Sequence, residues 1–295
     1  MKQSKTGPAV NAEVLTSYDL ARGKKVADRY TIVGSHRHAG FSIAYEARDE
    51  RDKKCELQLF PAGLFELPKQ ADEFCERLLP WKNVESDHVL RVRELLDLGS
   101  SGCLFVTDFP EGESLRERMK RKQRLDQGEA VALGNQLLEG LGLIHGAGLI
   151  HGDIKPPTIW VDGEGAKARA YFVDGGVTPG LWNAKGLGEK TALIGTPYYA
   201  PVEQFGGESP DVRSDIYNLA TVLFECVTGV LPWSGHTFLE VFQAKLQDPP
   251  SMKKRAADVD VDSRLEAAIL RGCLADRRKR YSSAHEFQRA LGEAK

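Results

Sequence analysis

No uninterrupted apolar run in this chain approaches the roughly 20 residues that a membrane-spanning helix needs. The N-terminus is polar and has no apolar core of the kind a secretory leader carries. Charge of one sign is equally scarce. Lys and Arg number 40 against 42 Asp and Glu, for a net charge of −2 and a pI near 6.4. That balance gives no reason to expect nucleic acid or an anionic membrane as the main partner. The cluster Lys120-Arg121-Lys122-Arg124 reads as the solvated end of a helix. Cysteine is sparse and scattered: Cys55, Cys75, Cys103, Cys226 and Cys273 are odd in number and show no Cys-x-x-Cys pairing. A zinc ribbon and a disulfide framework are therefore not expected, and all five are read as reduced thiols packed as small hydrophobes. Internal repeats and low-complexity tracts are missing too. The expectation is a soluble, cytoplasmic protein.

What is present suits one large domain or a two-lobed unit, since 295 residues can bury a substantial core. Residues 1–25 lack sustained periodicity and are read as an arm or tail. From Tyr30 the texture becomes strand-like: Tyr30–Val33, Phe41–Tyr45 and Cys55–Phe60 are short runs divided by Gly or charged turns. Residues 71–79 read as a helix, and 89–98 and 103–108 as two more strands. After Gly112 the period changes. Ser114 is placed to cap a short helix through about Lys122, and Ala130–Ile144 is a long apolar-periodic helix. Further helices are expected over Asp215–Gly229, 239–247, 263–273 and 284–292. Strands first and helices after argue for an α+β chain of two lobes with a cleft between them.

Five motifs stand in order along this pattern. The segment His151-Gly152-Asp153-Ile154-Lys155-Pro156-Pro157-Thr158 carries an acid and a lysine two residues apart. Asp174-Gly175-Gly176 follows, and then Gly195-Thr196-Pro197-Tyr198-Tyr199-Ala200-Pro201-Val202-Glu203. Asp215-Ile216-Tyr217 opens a helix, and Asp276-Arg277-Arg278-Lys279-Arg280-Tyr281 lies near the end. From about Tyr30 to Leu291 the chain resembles a eukaryotic-type Ser/Thr protein kinase domain, closest in texture to the bacterial members of that family. The resemblance implies a bilobal kinase-like domain over 26–291. Its small antiparallel β lobe, with one main helix, covers about 26–109, and its large helical lobe about 112–291. It also implies an ion pair between Glu203 and Arg280, with Asp215 accepting N–H groups of the catalytic loop. His151 is read as a hydrogen-bonded anchor of that loop.

Phosphoryl transfer is mostly positioning and charge neutralisation. In the family the loop Asp takes the proton of the attacking hydroxyl, a role that falls on Asp153 beside Lys155. The family's Arg before that Asp is Gly152, and its metal-binding Asn is Thr158. Asp174 is the second expected magnesium ligand, but the Phe that follows it in the family is Gly175. Aligning Gln58-Leu59-Phe60-Pro61 with the family's Lys-Val-Leu-Pro puts Gln58 in place of the phosphate-binding lysine, with Lys53 and Lys54 read as a turn. Glu56 replaces the Ala that packs on adenine. Arg77 fills the slot of the acid that pairs with the lost lysine, or Glu76 does if the register slips by one.

In the phosphate loop Ser42 replaces the third glycine, with Arg37 and Ala39 at the first two; Gly34 and Gly40 lie nearby. His36, Arg37 and His38 could offer charge to a phosphate, although a solvated turn is the favoured reading. Thr107 and Asp108 fall at the hinge, and Pro110 stands where a backbone N–H would meet adenine. Nucleotide contacts, where they exist, would come from Gly34, Gly40, Gln58, Thr107, Asp108, Thr158 and Asp174. ATP and magnesium are thus possible ligands without being required. The chain is read as a pseudokinase, a regulatory module whose partner is another protein such as an active kinase or a phosphatase. The alternative is an active kinase with a rearranged phosphate site.

Overall fold

A computed structural model describes residues 20–39, 42–98, 102–184, 198–235 and 237–293. Two compact units emerge. One comprises residues up to 79 together with Val92–Phe109, the other Pro80–Arg91 together with residues from 110 onwards.

The first unit is a sheet with one helix on it. Its elements are β1 (Lys25–Val26), β2 (Tyr30–Ala39), β3 (Ser42–Arg48), β4 (Lys54–Pro61), α1 (Pro68–Leu78), β5 (Val92–Asp97) and β6 (Gly102–Asp108). The strand order is β1-β2-β3-β4-β6-β5, and every pairing is antiparallel. Alternate residues of these strands, including Ile32, Tyr45, Ala47, Cys55, Leu57, Leu59, Leu104 and Val106, bury one face in a common core. Strand β4 lies inside the sheet, and its other face is covered as well. There Phe60 packs edge-on to Phe74 of α1, with ring centroids 4.8 Å apart. Glu56 and Gln58 alternate onto that same face as Phe60, and so both are buried. Lys53 lies outside the strand as expected, but Lys54 is its first residue.

Proline at the first position of α1 gives up no hydrogen bond there, and Gln70 Oε1 accepts the N–H groups of Glu66 and Leu67. Packing of α1 against β6 corrects the cysteine expectation. Cys75 on the helix and Cys103 on the strand have Cα atoms 6.7 Å apart and are joined as a disulfide, while Cys55, Cys226 and Cys273 are free and buried. Their separation of 28 residues carries no local signature, because it depends on where the helix lies.

The second unit contains a three-stranded sheet, β7 (Glu113–Ser114), β8 (Ile159–Asp162) and β9 (Arg169–Phe172), paired antiparallel in that order. Its helices are α2 (Leu115–Lys122), α3 (Gln127–Gly146), α4 (Val177–Ala184), α5 (Val202–Phe205), α6 (Val212–Thr228), α7 (Phe238–Lys245), α8 (Met252–Arg255), α9 (Ser263–Gly272) and α10 (Ala284–Gly292). Side-chain caps fix most of the starts. Ser114 accepts from Glu117 N, Asp126 from Glu129 N, and Asp211 from Arg213 N and Ser214 N. That last cap is why α6 starts three residues before Asp215. Helix α6 is buried nearly all round, its polar Ser214, Asp215, Asn218 and Thr221 included, and runs through the core. The strand expected over 89–98 begins only at Val92, and Val89 instead bridges to Phe172. Helix α4 has no counterpart among the helices expected from the sequence.

Two buried charges tie this unit together. Arg280, with a fully buried side chain, grips Glu203 with both nitrogens at 2.7 and 2.9 Å. Lys245 is likewise buried. Its Nζ donates to the carbonyls of Tyr198 (2.7 Å) and Ala200 (2.8 Å) and lies over the rings of Trp233 and Tyr217. Among the described residues no helix is long and apolar enough to cross a membrane.

Candidate active site

On the first unit, Glu56 is the focal residue. Its side chain is 0% exposed, and a bare carboxylate there would be very costly. Arg37 meets it with two nitrogens, Nη2 at 2.6 Å from Oε1 and Nε at 3.0 Å from Oε2, and His36 Nδ1 lies 2.9 Å from Oε2. Successive residues of a regular strand point to opposite faces, so His36 and Arg37 could not both reach one acid across a plain ladder. Strand β2 has register shifts between Ile32 and Gly34 and between Ser35 and Arg37, and bulges of this kind re-aim side chains. This corrects the reading of His36 and Arg37 as a solvated turn: both belong to β2, and the Arg37 side chain is only 12% exposed. The His36 ring also lies on Phe109, with centroids 4.6 Å apart, and Lys54 Nζ sits 4.2 Å from the centre of the same ring.

Next to this cluster Gln58 is buried, and its Oε1 accepts from the Ser42 hydroxyl at 3.1 Å. Thr107 is directly opposite Glu56 in the ladder, and its buried hydroxyl has no hydrogen-bond partner among the described residues. Asp108 accepts from Arg93 Nε at 2.6 Å, and Arg93 also reaches Asp49 and the Lys54 carbonyl. Gly34 pairs with Glu46, and a Cβ there would meet nothing within 4 Å, so neither space nor backbone requires glycine. Glu76 and Arg77 are both exposed on α1.

On the second unit, the catalytic-loop segment hangs from α6. Asp215 accepts the backbone N–H groups of His151 (2.9 Å) and Gly152 (2.8 Å). His151 is fully buried. Its Nε2 donates to the Val173 carbonyl and its Nδ1 accepts from Asp153 N, the pattern of a neutral ring. Burial lowers its pKa against the pull of Asp215, Asp153 and Asp174, and it serves as an anchor. The Asp153 carboxylate is engaged twice at one oxygen, by Lys155 Nζ and by the Thr178 hydroxyl, each at 2.8 Å. Thr158 staples the loop to itself, donating to the Asp153 carbonyl at 2.7 Å and accepting from Lys155 N at 3.1 Å. Asp174 sits at φ +59°, a left-handed conformation rare for a residue with a side chain. The two glycines after it lie beneath the indole of Trp81, which in turn meets His151 edge-on at 6.4 Å. Among the described residues no three His, Cys, Asp or Glu side chains gather as a metal centre.

A sheet capped by one helix, and a helical unit carrying an acid–lysine loop pinned by a buried aspartate, together frame a family comparison. The model of the protein kinase domain matches residues 68–290. The chain belongs to the protein kinase family. Among curated relatives, this kinase domain is 25% identical over 268 residues to a probable serine/threonine-protein kinase of Clostridium perfringens, covering 90% of this chain and 38% of that one. It is 31% identical over 219 residues to the serine/threonine-protein kinase PkaB of Streptomyces coelicolor, covering 72% and 51%. The chain thus spans about half or less of the length of these relatives. Among solved structures, the PknI kinase domain of Mycobacterium tuberculosis superposes with a TM-score of 0.72 at 20% identity, covering 94% of this chain and 99% of that one.

The kinase domain brings its sequence-marked residues into two groups. Gln58, Thr107 and Asp108 lie on neighbouring strands of the first unit. Asp153, Lys155 and Thr158 share one loop of the second, with Asp174 on the segment that follows β9. Gly40 lies outside the described residues, as do Gly195, Thr196 and Pro197 of the third motif. Sequence reasoning missed two participants. Thr178 had no signal, because nothing local says that its segment folds back onto Asp153. Trp81 had a weak one: a large aromatic four residues after Arg77, in a chain whose Asp-Phe-Gly triplet has lost its ring.

Proposed function

We propose that this kinase domain is a pseudokinase, a regulatory module in which ATP-dependent phosphoryl transfer is weak or absent and whose partner is another cytoplasmic protein. One observation carries the reading. Where the family keeps a small apolar residue and a lysine two positions apart, this chain has Glu56 and Gln58, and Glu56 is neutralised by Arg37 from the phosphate-loop hairpin. The arginine of the phosphate loop is already committed to a buried carboxylate. Gln58 brings no charge, and its carbonyl is occupied by Ser42. On the second unit the Thr158 hydroxyl is bonded to the loop's own backbone, and one oxygen of Asp153 is doubly engaged. These groups do not suit an ATP–magnesium site of the family's kind.

A thermal-shift titration with ATP, with and without magnesium or manganese, tests the proposal. A ligand at 100 times its Kd adds about 2.7 kcal/mol to the native state, roughly 5–10 °C for a domain of this size. No shift at millimolar ATP is the expected result. Transfer of phosphate to itself or a generic substrate, abolished by Asp153→Asn, would overturn it. The second reading, an active serine/threonine kinase with a rearranged phosphate site, draws its support from the intact Lys155–Asp153 pair at 2.8 Å.

A further inference from the structure

Helix α4 and the turn that launches it make three contacts that no role in phosphoryl transfer requires. Thr178 donates to Asp153 Oδ2 at 2.8 Å, on the oxygen that also holds Lys155. Pro179 rests over Gly152, and a Cβ on that glycine would lie 2.7 Å from Pro179 Cγ. Upstream, the turn that launches the helix passes beneath Trp81 so closely that a Cβ on either Gly175 or Gly176 would collide with the indole. Backbone bonds complete the turn: Gly176 N donates to the His151 carbonyl, Val177 N to Asp174 and Gly180 N to Gly176.

The composition of α4, Val-Thr-Pro-Gly-Leu-Trp-Asn-Ala, does not favour an isolated helix. Proline is tolerated because it falls in the first turn, but glycine follows it and the helix has only eight residues. Docking must therefore hold it. Val177, Thr178, Leu181 and Ala184 are all buried.

We propose that α4 is a built-in clasp on the catalytic loop, and that Gly152 and Gly175 are the residues that admit it. Both positions look like decay when set against the family, since Arg and Phe are expected there. In the structure each lies where a side chain would displace something: Pro179 at 152 and Trp81 at 175. Gly152 also sits at φ +74°, a conformation that costs a residue with a side chain. Trp81 supplies, from an earlier part of the chain, the ring that position 175 lacks, and it meets His151 in doing so. The departures are thus coupled. Asp153 is held as an acceptor by Thr178 and Lys155, and releasing it requires α4 to leave. No phosphate is needed to set or hold the clasp.

The inference concerns the same loop as the pseudokinase reading but is tested separately, by amide hydrogen exchange on the whole chain without nucleotide. Loss of a hydrogen bond to a charged acceptor should open the segment by about tenfold or more. Thr178→Val and Asp153→Ala are each expected to speed exchange across Val177–Ala184 by that factor, with α6 amides unchanged. Thr178→Ser, which keeps the hydroxyl, should stay near wild type. The double variant should exchange no faster than the faster single one, because both break one contact. Gly152→Ala should loosen the same segment through the Pro179 contact. Unchanged exchange in Thr178→Val, or a double variant whose factor is the product of the two singles, would overturn the clasp. Turnover of ATP would sink the pseudokinase reading and leave these exchange ratios standing.

Discussion

Removing Arg37 should be far more damaging than removing a surface arginine, and the size of the effect follows from Glu56. The Glu56 side chain is 0% exposed, Arg37 is 12% exposed, and two short bonds join them. Exposed ion pairs contribute about 0.2–1 kcal/mol, whereas breaking a buried pair by deleting one partner costs on the order of 3–5 kcal/mol. Arg37→Met keeps most of the stem and leaves the carboxylate with His36 alone, so it belongs to the second class. Glu56→Leu should cost less, because the Arg37 head lies near the surface and can turn to water. With both substitutions the buried charge is gone, and stability should return to within about 1 kcal/mol of wild type or exceed it. Urea unfolding followed by circular dichroism reads all four proteins, and the double-mutant cycle isolates the coupling. If Arg37→Met falls within 1 kcal/mol of wild type, Glu56 is not a buried, arginine-dependent carboxylate and the argument for a closed phosphate site collapses.

Other outcomes follow from the second unit. Burial pushes the Lys245 ammonium down to about 7 from an ordinary value of 10.5. Between those values the unfolded chain binds a proton that the folded one does not, so stability rises with pH across this window. From pH 7 to 9 the gain is about 2 kcal/mol, and Lys245→Met should abolish it; identical pH profiles for the two proteins would refute the assignment. Arg280→Leu leaves Glu203 without its bidentate partner and should cost on the order of 3–5 kcal/mol in urea unfolding, against about 1 kcal/mol or less if the pair is merely ornamental.

Much of the fold was legible because it is encoded locally. Period-2 runs such as Cys55–Phe60 became strands, and Ser114 caps α2 with the Glu117 N–H as its position implied. The Glu203–Arg280 pair and the Asp215 bonds to the loop follow from the family's spacing. Thr178 was not legible, since its bond to Asp153 spans 25 residues and depends on a helix with poor intrinsic propensity. The Cys75–Cys103 link was misjudged for a related reason: pairing depends on where α1 lies on the sheet, not on sequence spacing.

The amino-acid sequence by itself determined which groups are absent: no lysine at 58, no arginine at 152, no asparagine at 158 and no phenylalanine at 175. A missing side chain cannot be restored by folding, so those conclusions needed only identity and register. What replaces each group was decided by tertiary structure alone. Two bulges in β2 turned His36 and Arg37 onto Glu56, and the indole of Trp81 lies over Gly175. The docking of α4 brought Thr178 to Asp153. Such partners lie tens of residues apart, beyond the reach of any local period, and are set by strand register and by where a helix comes to rest.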